Sequence, residues 1–297
     1  MLDIFNFVDK WGETSYDPYA FKTYLANNRD IVLYVCFLYL MFVFYSPPYL
    51  KKIMGEPKTP QNDKMVKLVK FISVFWNLLL SAFALYGTSR VFPPLVENFQ
   101  KYGLHDTLCT FRPEQFYTTP IGTALGLFTM SKVPEFGDTV FLLLFGKKLP
   151  FLQYFHHTTM FLFVWHAYEQ GSSIFITAAA LNYFVHTIMY FYFAMDSAGL
   201  KNLVKPFGMY ITMLQLIQMM GVMASSSYVM YHKFFIDAPN GIPADAEGQG
   251  SCPGTSLYNA RLQFCIYTFF LYLFGQMFIN NYVRPKPRPA AGAKKQA

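Results

Sequence analysis

Seven stretches of the chain are apolar over about 20 residues or more, at approximately 31–49, 68–88, 118–146, 151–170, 173–195, 206–231 and 257–283. A bilayer hydrocarbon core about 30 Å thick takes roughly 20 residues of helix to cross. The pattern therefore predicts an all-α integral membrane protein with seven transmembrane helices. The third stretch is the most interrupted, because it contains Lys132, Pro134, Glu135 and Asp138. Polar connections separate the stretches, with no inserted soluble domain and no visible repeat. The expected organisation is an N-terminal segment (1–30), a seven-helix domain (31–283) and a basic tail (284–297).

Composition agrees with the pattern. Charged residues make up 14% of the chain and hydrophobic residues 54%, where soluble domains carry roughly 25% charged residues. The 33 Phe and 22 Tyr exclude a disordered chain. The net charge of +7 does not indicate nucleic acid, because the bases gather between the apolar stretches, where they set membrane topology. Fifteen Lys and Arg fall in the 51–70 segment, the 147–148 and 201–205 loops and the tail, against seven on the opposite side. The bias predicts a lumenal N-terminus and a cytosolic C-terminus. The first 30 residues are polar and carry Asp3, Asp9, Glu13 and Asp17, so no signal peptide is expected. The ending Lys294-Lys295-Gln296-Ala297 resembles the dilysine retrieval signal of endoplasmic reticulum membrane proteins. Cys109 and Cys252 both fall in loops assigned to the oxidising lumen and are expected to pair. Cys36 and Cys265 lie inside spans.

Ionisable groups inside a span are costly and by default mark a functional interior. Here they share one depth. Span 3 carries Lys132, Glu135, Asp138 and Thr139; span 4 carries Gln153, His156 and His157; span 5 carries Asn182, His186 and Tyr190; span 6 carries Thr212, Gln215 and Gln218. Spacings of three and four place members of each set on a common helix face. At 1.5 Å per residue these groups converge on a layer roughly 8–14 Å below the cytosolic helix ends. A neutral imidazole is a competent base or nucleophile at physiological pH. Asp138 or Glu135 would orient a ring, or pair with Lys132, and Asn, Gln and Tyr side chains donate to a developing oxyanion. Gln215 and Gln218 fit interhelical hydrogen bonding equally well. His166 and His232 are expected at the lumenal interface, and His105 in a solvated loop.

Four segments in order carry a resemblance: Lys132-Val133-Pro134-Glu135-Phe136-Gly137-Asp138-Thr139, the box from Gln153 to His157, Asn182 through Tyr190, and Thr212 through Gln218. Together they resemble the ELO family of fatty-acid elongases, the membrane 3-ketoacyl-CoA synthases of the endoplasmic reticulum. The family box usually reads His-x-x-His-His, and here Gln153 holds its first position. The same box form occurs in di-iron desaturases and hydroxylases. Those need several histidine clusters, more than the six histidines of this chain provide, and Gln153 is a poor ligand beside imidazole. No metal and no cofactor is expected. A non-enzymatic seven-helix transporter is a weaker alternative, since its midplane layer is usually built from matched broken helices.

The resemblance implies decarboxylative condensation of an acyl-CoA with malonyl-CoA, giving a 3-ketoacyl-CoA, CO2 and CoA. It implies six helices around an acyl-chain tunnel with the first helix peripheral. His156 would act as nucleophile through an acyl-imidazole, or as general base in a ternary complex. His186 would stabilise the thioester or enolate oxygen, aided by Asn182, Tyr190 and Gln215; Asp138 and Glu135 would hold the imidazoles, and His157 would support the box. Lys132, Gln153, Thr212, Gln215 and Gln218 are expected to contact substrate, and Lys147, Lys148, Lys201, Lys205 and Arg284 to meet the anionic CoA head group. His232, Lys233 and Arg261 are candidates for limiting chain length. Implied partners are membrane lipid and the ketoacyl-CoA reductase, dehydratase and enoyl-CoA reductase of the elongation cycle; a homodimer stays open.

Overall fold

A computed structural model describes residues 2–55 and 59–284, and its regular structure there is helical. The helices are α1 (Leu2–Ser15), α2 (Pro18–Asn27), α3 (Arg29–Tyr45), α4 (Pro47–Met54), α5 (Pro60–Cys109), α6 (Pro113–Phe116), α7 (Ile121–Ser131), α8 (Gly137–Leu144), α9 (Phe151–Gln170), α10 (Ser173–Ser197), α11 (Lys201–Val204), α12 (Gly208–Tyr231) and α13 (Leu257–Phe278). Their starts follow ordinary rules. Asp17 accepts from the N–H groups of Tyr19 and Ala20 ahead of α2, with Pro18 at its first position. Thr59 and Ser256 cap α5 and α13 in the same way.

Neighbour contacts close a ring of six helices in the order α5, α10, α12, α13, α9 and α7, with α7 returning to α5. α3 lies outside the ring against α9. The most buried of the long apolar helices is α10, whose buried Ala178, Ala179 and Ala180 let its neighbours come close. Tyr183 enters a notch at Gly87 of α5, where a β-carbon would overlap its ring, and donates to the Ala124 carbonyl at 2.7 Å. Outward faces are apolar: Leu33, Phe37, Leu38 and Phe44 on α3, and Phe71 and Phe75 on α5, are exposed. Such faces suit lipid rather than water.

Among the described residues, four helices qualify by length and apolarity to cross a membrane: Asn62–Cys109, Ser173–Ser197, Lys201–Asn240 and Leu257–Val283. A fifth qualifies if α2 and α3, bent by 72° at Asn28, count as one broken span. This is fewer than the seven expected. The third expected span divides into α7, a 3-10 turn over Pro134–Phe136 and α8. The fourth, α9, is 20 residues long and loses apolarity to its Gln, His, Thr and Glu side chains.

Two other departures have plain causes. The second helix was expected to end near 88 and instead continues to Cys109, because Val91, Leu95 and Asn98 recur on one buried face while Pro93 points outward. Its path breaks at Gly103, whose φ of +75° is open to glycine. The N-terminal segment forms α1 and α2 and packs onto the bundle. Phe5 and Leu25 are buried, Asp9 pairs with Arg90 at 2.6 Å, and the Tyr16 and Tyr168 hydroxyls meet at 3.1 Å. Arg29 closes a further ion pair onto buried Glu169.

Cys109 and Cys252 form a disulfide between points 143 residues apart. Around it Gly254 donates to the Cys109 carbonyl at 2.7 Å, and Ser173 at the start of α10 donates to the Gly254 carbonyl at 2.9 Å. One corner thus ties the ends of α5, α10 and the segment before α13. His105 is not in a solvated loop: it belongs to α5, is half-buried, and sits 4.5 Å from the His232 ring with its Nδ1 3.3 Å from Tyr228 Oη. Arg261 is exposed over Phe234, so it does not face the interior, whereas Lys233 is buried. The dilysine pair Lys294-Lys295 lies outside the described residues.

Candidate active site

The interruption of the third apolar stretch builds one wall of the site. Proline lacks the N–H that would continue the helix, so α7 ends at Ser131 and the chain turns at Pro134 before α8 begins. The turn carries Lys132 and Glu135 inward, where they are 4% and 5% exposed. Lys132 Nζ donates to Glu135 Oε1 at 2.7 Å and to Asn182 Oδ1 at 3.3 Å. It also stands 4.1 Å above the Phe128 ring. One turn further along α10, the Asn182 amide lies 3.0 Å from His186 Nε2. These residues line a small cavity between α5, α7 and α10, with room for about one water molecule, and Leu80, Phe83 and Tyr183 line the rest of it.

His156 and His157 come from α9. His157 is buried, with its Nε2 2.8 Å from the Gln153 amide nitrogen. His156 packs against Phe270 and Phe274 of α13, with ring centroids 4.6 and 6.1 Å away. Its Nδ1 is enclosed by protein and has no hydrogen-bond partner, while the ring as a whole is only half-buried. The two box histidines do not line the Lys132 cavity, which His186 does.

Neither carboxylate holds an imidazole, contrary to expectation. Glu135 is taken by Lys132 and by Ser131 Oγ at 3.1 Å. Asp138 accepts from Tyr190 Oη at 2.8 Å and from Trp76 Nε1 at 3.2 Å. Its influence on His186 is indirect, because the Tyr190 ring stands edge-on to that imidazole at 5.2 Å. Trp76 and Tyr39 were not anticipated. Trp76 reaches Asp138 over Gly137, where a β-carbon would sit 2.8 Å from the indole. Tyr39 meets Thr139 Oγ1 at 2.7 Å and stacks on Phe136. A Trp in an apolar span still needs a partner for its N–H, the one signal that could have flagged Trp76.

The α12 residues stand apart from this network. Thr212 donates back to the Gly208 carbonyl, Gln215 contacts Met189 Sδ at 3.1 Å, and buried Gln218 bonds none of the described site residues. Lys147, Lys148, Lys201, Lys205 and Arg284 are all exposed. Among the described residues no three His, Cys, Asp or Glu side chains are placed to share a metal ion.

The site brings together imidazole rings, amide and hydroxyl donors and a buried cation, groups able to stabilise developing negative charge. Comparison with known proteins agrees in kind. The profile of the ELO (GNS1/SUR4) family matches residues 24–290. The chain belongs to the ELO family. It is 40% identical over 288 residues to a protein of Trypanosoma brucei brucei (strain 927/4 GUTat10.1) named fatty acid elongase 1, covering 94% of this chain and 90% of that one. It is 39% identical over 295 residues to fatty acid elongase 1 of Trypanosoma cruzi (strain CL Brener), covering 96% of both. Fatty acid elongase 2 of Trypanosoma cruzi is 38% identical over 285 residues, 94% of this chain and 97% of that one. The ELO match takes in the whole Lys132–Gln218 stretch from which the site is built.

Proposed function

We propose that this protein is the condensing enzyme of fatty-acid elongation, joining an acyl-CoA to malonyl-CoA to give a 3-ketoacyl-CoA two carbons longer. The observation that supports the reading is His186 beside Asn182 and Lys132, with the box histidines His156 and His157 on α9, in an ELO family member. The reaction class is acyl transfer, and it proceeds without metal or cofactor.

His156 attacks the thioester carbonyl through Nε2, since Nδ1 is enclosed by protein. The tetrahedral oxyanion collapses, the carbon–sulfur bond breaks, and CoA leaves as thiolate to take up a proton. The acyl group stays on the imidazole, still activated for transfer. Malonyl-CoA then loses CO2, and the electron pair of the broken bond forms an enolate. Its carbon attacks the acyl carbonyl and expels the imidazole. His186, with Asn182 and Tyr190 behind it, stabilises the oxygen that gains charge in each step. His157 and Gln153 hold the box in place.

The polar CoA head approaches from the cytosolic face, where Lys147, Lys148, Lys201, Lys205 and Arg284 supply charge. The acyl chain runs into the six-helix ring towards the lumen. In this reading all seven apolar stretches cross the endoplasmic reticulum membrane, the broken third and the polar-studded fourth being shielded from lipid by their neighbours. The product passes to a reductase, a dehydratase and an enoyl reductase. Microsomes expressing the chain, supplied with labelled malonyl-CoA and an acyl-CoA panel, should form 3-ketoacyl product, and His156→Ala should abolish it. Intact mass after acyl-CoA alone should show one acyl adduct, absent in His156→Ala. Equal product from both forms would remove His156 from its role; product without an adduct would leave it a general base.

A further inference from the structure

We propose that Lys132 is a positioning residue: acting through Asn182, it fixes the tautomer of His186 so that Nδ1 carries the ring proton and donates to the reacting oxygen. The inference rests on the condensing reading above. It also replaces the expectation that Lys132 contacts substrate.

The logic is one of donors and acceptors. An ammonium has three N–H donors and no acceptor. With Glu135 Oε1 at 2.7 Å the Lys132 charge is matched, and the atom of Asn182 at 3.3 Å has to be its carbonyl oxygen. That choice settles the carboxamide orientation, which is otherwise open to a flip. The Asn182 nitrogen then faces His186 Nε2 at 3.0 Å. An amide nitrogen only donates, so Nε2 must present its lone pair, and in a neutral imidazole the proton resides on Nδ1. His186 lines the cavity, and among the described residues nothing hydrogen-bonds its Nδ1. The Nδ1–H is therefore kept for a ligand.

Gln153 and His157 make an instructive contrast. The two nitrogens lie 2.8 Å apart, but among the described residues no donor-only group holds the far side of the Gln153 amide. Nothing there selects a tautomer. Of these two amide–imidazole pairs, the one on α10 has a buried cation behind its amide.

The test reads the ring nitrogens directly. Full-length protein with 15N-labelled histidine side chains is placed in lipid nanodiscs, and His186 signals are identified by their loss in His186→Gln. The wild type should show a protonated Nδ1 and an unprotonated Nε2. Asn182→Asp offers oxygen to both neighbours, so it should move the proton to Nε2. It should also lower kcat for condensation about 100-fold, the scale of losing one oxyanion donor, with KM for the acyl-CoA unchanged. Lys132→Met should give a mixture of tautomers, and Lys132→Arg, which keeps a donor, should restore one. A wild-type ring protonated at Nε2, or a tautomer indifferent to both Asn182→Asp and Lys132→Met, would overturn the proposal. A wild type that makes no 3-ketoacyl product would sink the condensing reading instead, while the ring signals would still decide the tautomer.

Discussion

The Lys132–Glu135 pair offers the sharpest test of the packing. Both side chains are sealed, with 2.7 Å between Nζ and Oε1. Removing one partner of a buried pair leaves an unmatched charge and costs about 3–5 kcal/mol. Glu135→Met does that while keeping the volume similar. Lys132 would retain the Asn182 oxygen and the face of Phe128 at 4.1 Å, and a desolvated cation–π contact offsets up to about 2 kcal/mol. The loss should therefore fall near the lower end, about 3 kcal/mol. Removing both charges is another matter, since apolar replacement of a whole buried pair is often close to neutral. Lys132→Met/Glu135→Met should lose about 1 kcal/mol, mainly the Lys132–Asn182 bond. Thermal unfolding of the wild type, both single variants and the double variant in one detergent completes the cycle. At roughly 2–4 °C per kcal/mol for large domains, Glu135→Met should melt roughly 6–12 °C lower, and the double variant should recover most of that. A double variant as unstable as the two single losses added together would show that the charges do not interact, and the account of this wall would fail with it.

Two further perturbations probe other parts of the fold. Cys109→Ser, or reduction of the wild type, should destabilise the protein by about 2–4 kcal/mol through the long loop it releases, read as a lower melting temperature that Cys252→Ser does not lower further. Gly87→Ala places a methyl group where the Tyr183 ring lies, so it should lower stability by about 1–3 kcal/mol through overpacking, and the same change at Gly275, which has open space, should not.

Much of the helical pattern was legible because apolar length is a strong signal. The stretches at 173–195, 206–231 and 257–283 each lie within a helix long and apolar enough to span. Legibility failed where tertiary packing, rather than lipid, decided the structure. Residues 89–109 look like a polar loop because Arg, Pro, Glu, Gln, Lys, His and Asp interrupt the apolar residues, yet a spacing of four and three lets Val91, Leu95 and Asn98 dock as a helix face. The N-terminal acidic residues look solvated, but Asp9 finds Arg90 and Tyr86 from a distant part of the chain. Periodicity reports which face is apolar, not which partner will cover it.

The site shows the same division at finer grain. Residue type and spacing were enough to gather Lys132, Glu135, Asn182 and His186, since charged and amide groups at one depth have few other partners within a span. They were not enough to pair them. Two carboxylates and three imidazoles suggest acid–imidazole contacts, and the structure makes none among the described residues. Each carboxylate is satisfied locally instead, Glu135 by the residue three positions before it and Asp138 by Tyr190 and Trp76. The two carboxylates differ in partners, Glu135 meeting Lys132 of its own segment and Asp138 meeting Tyr190 of α10 and Trp76 of α5. Lys132 then bears on His186 through Asn182, one turn before the imidazole on α10, and Asp138 does so through Tyr190, one turn after it.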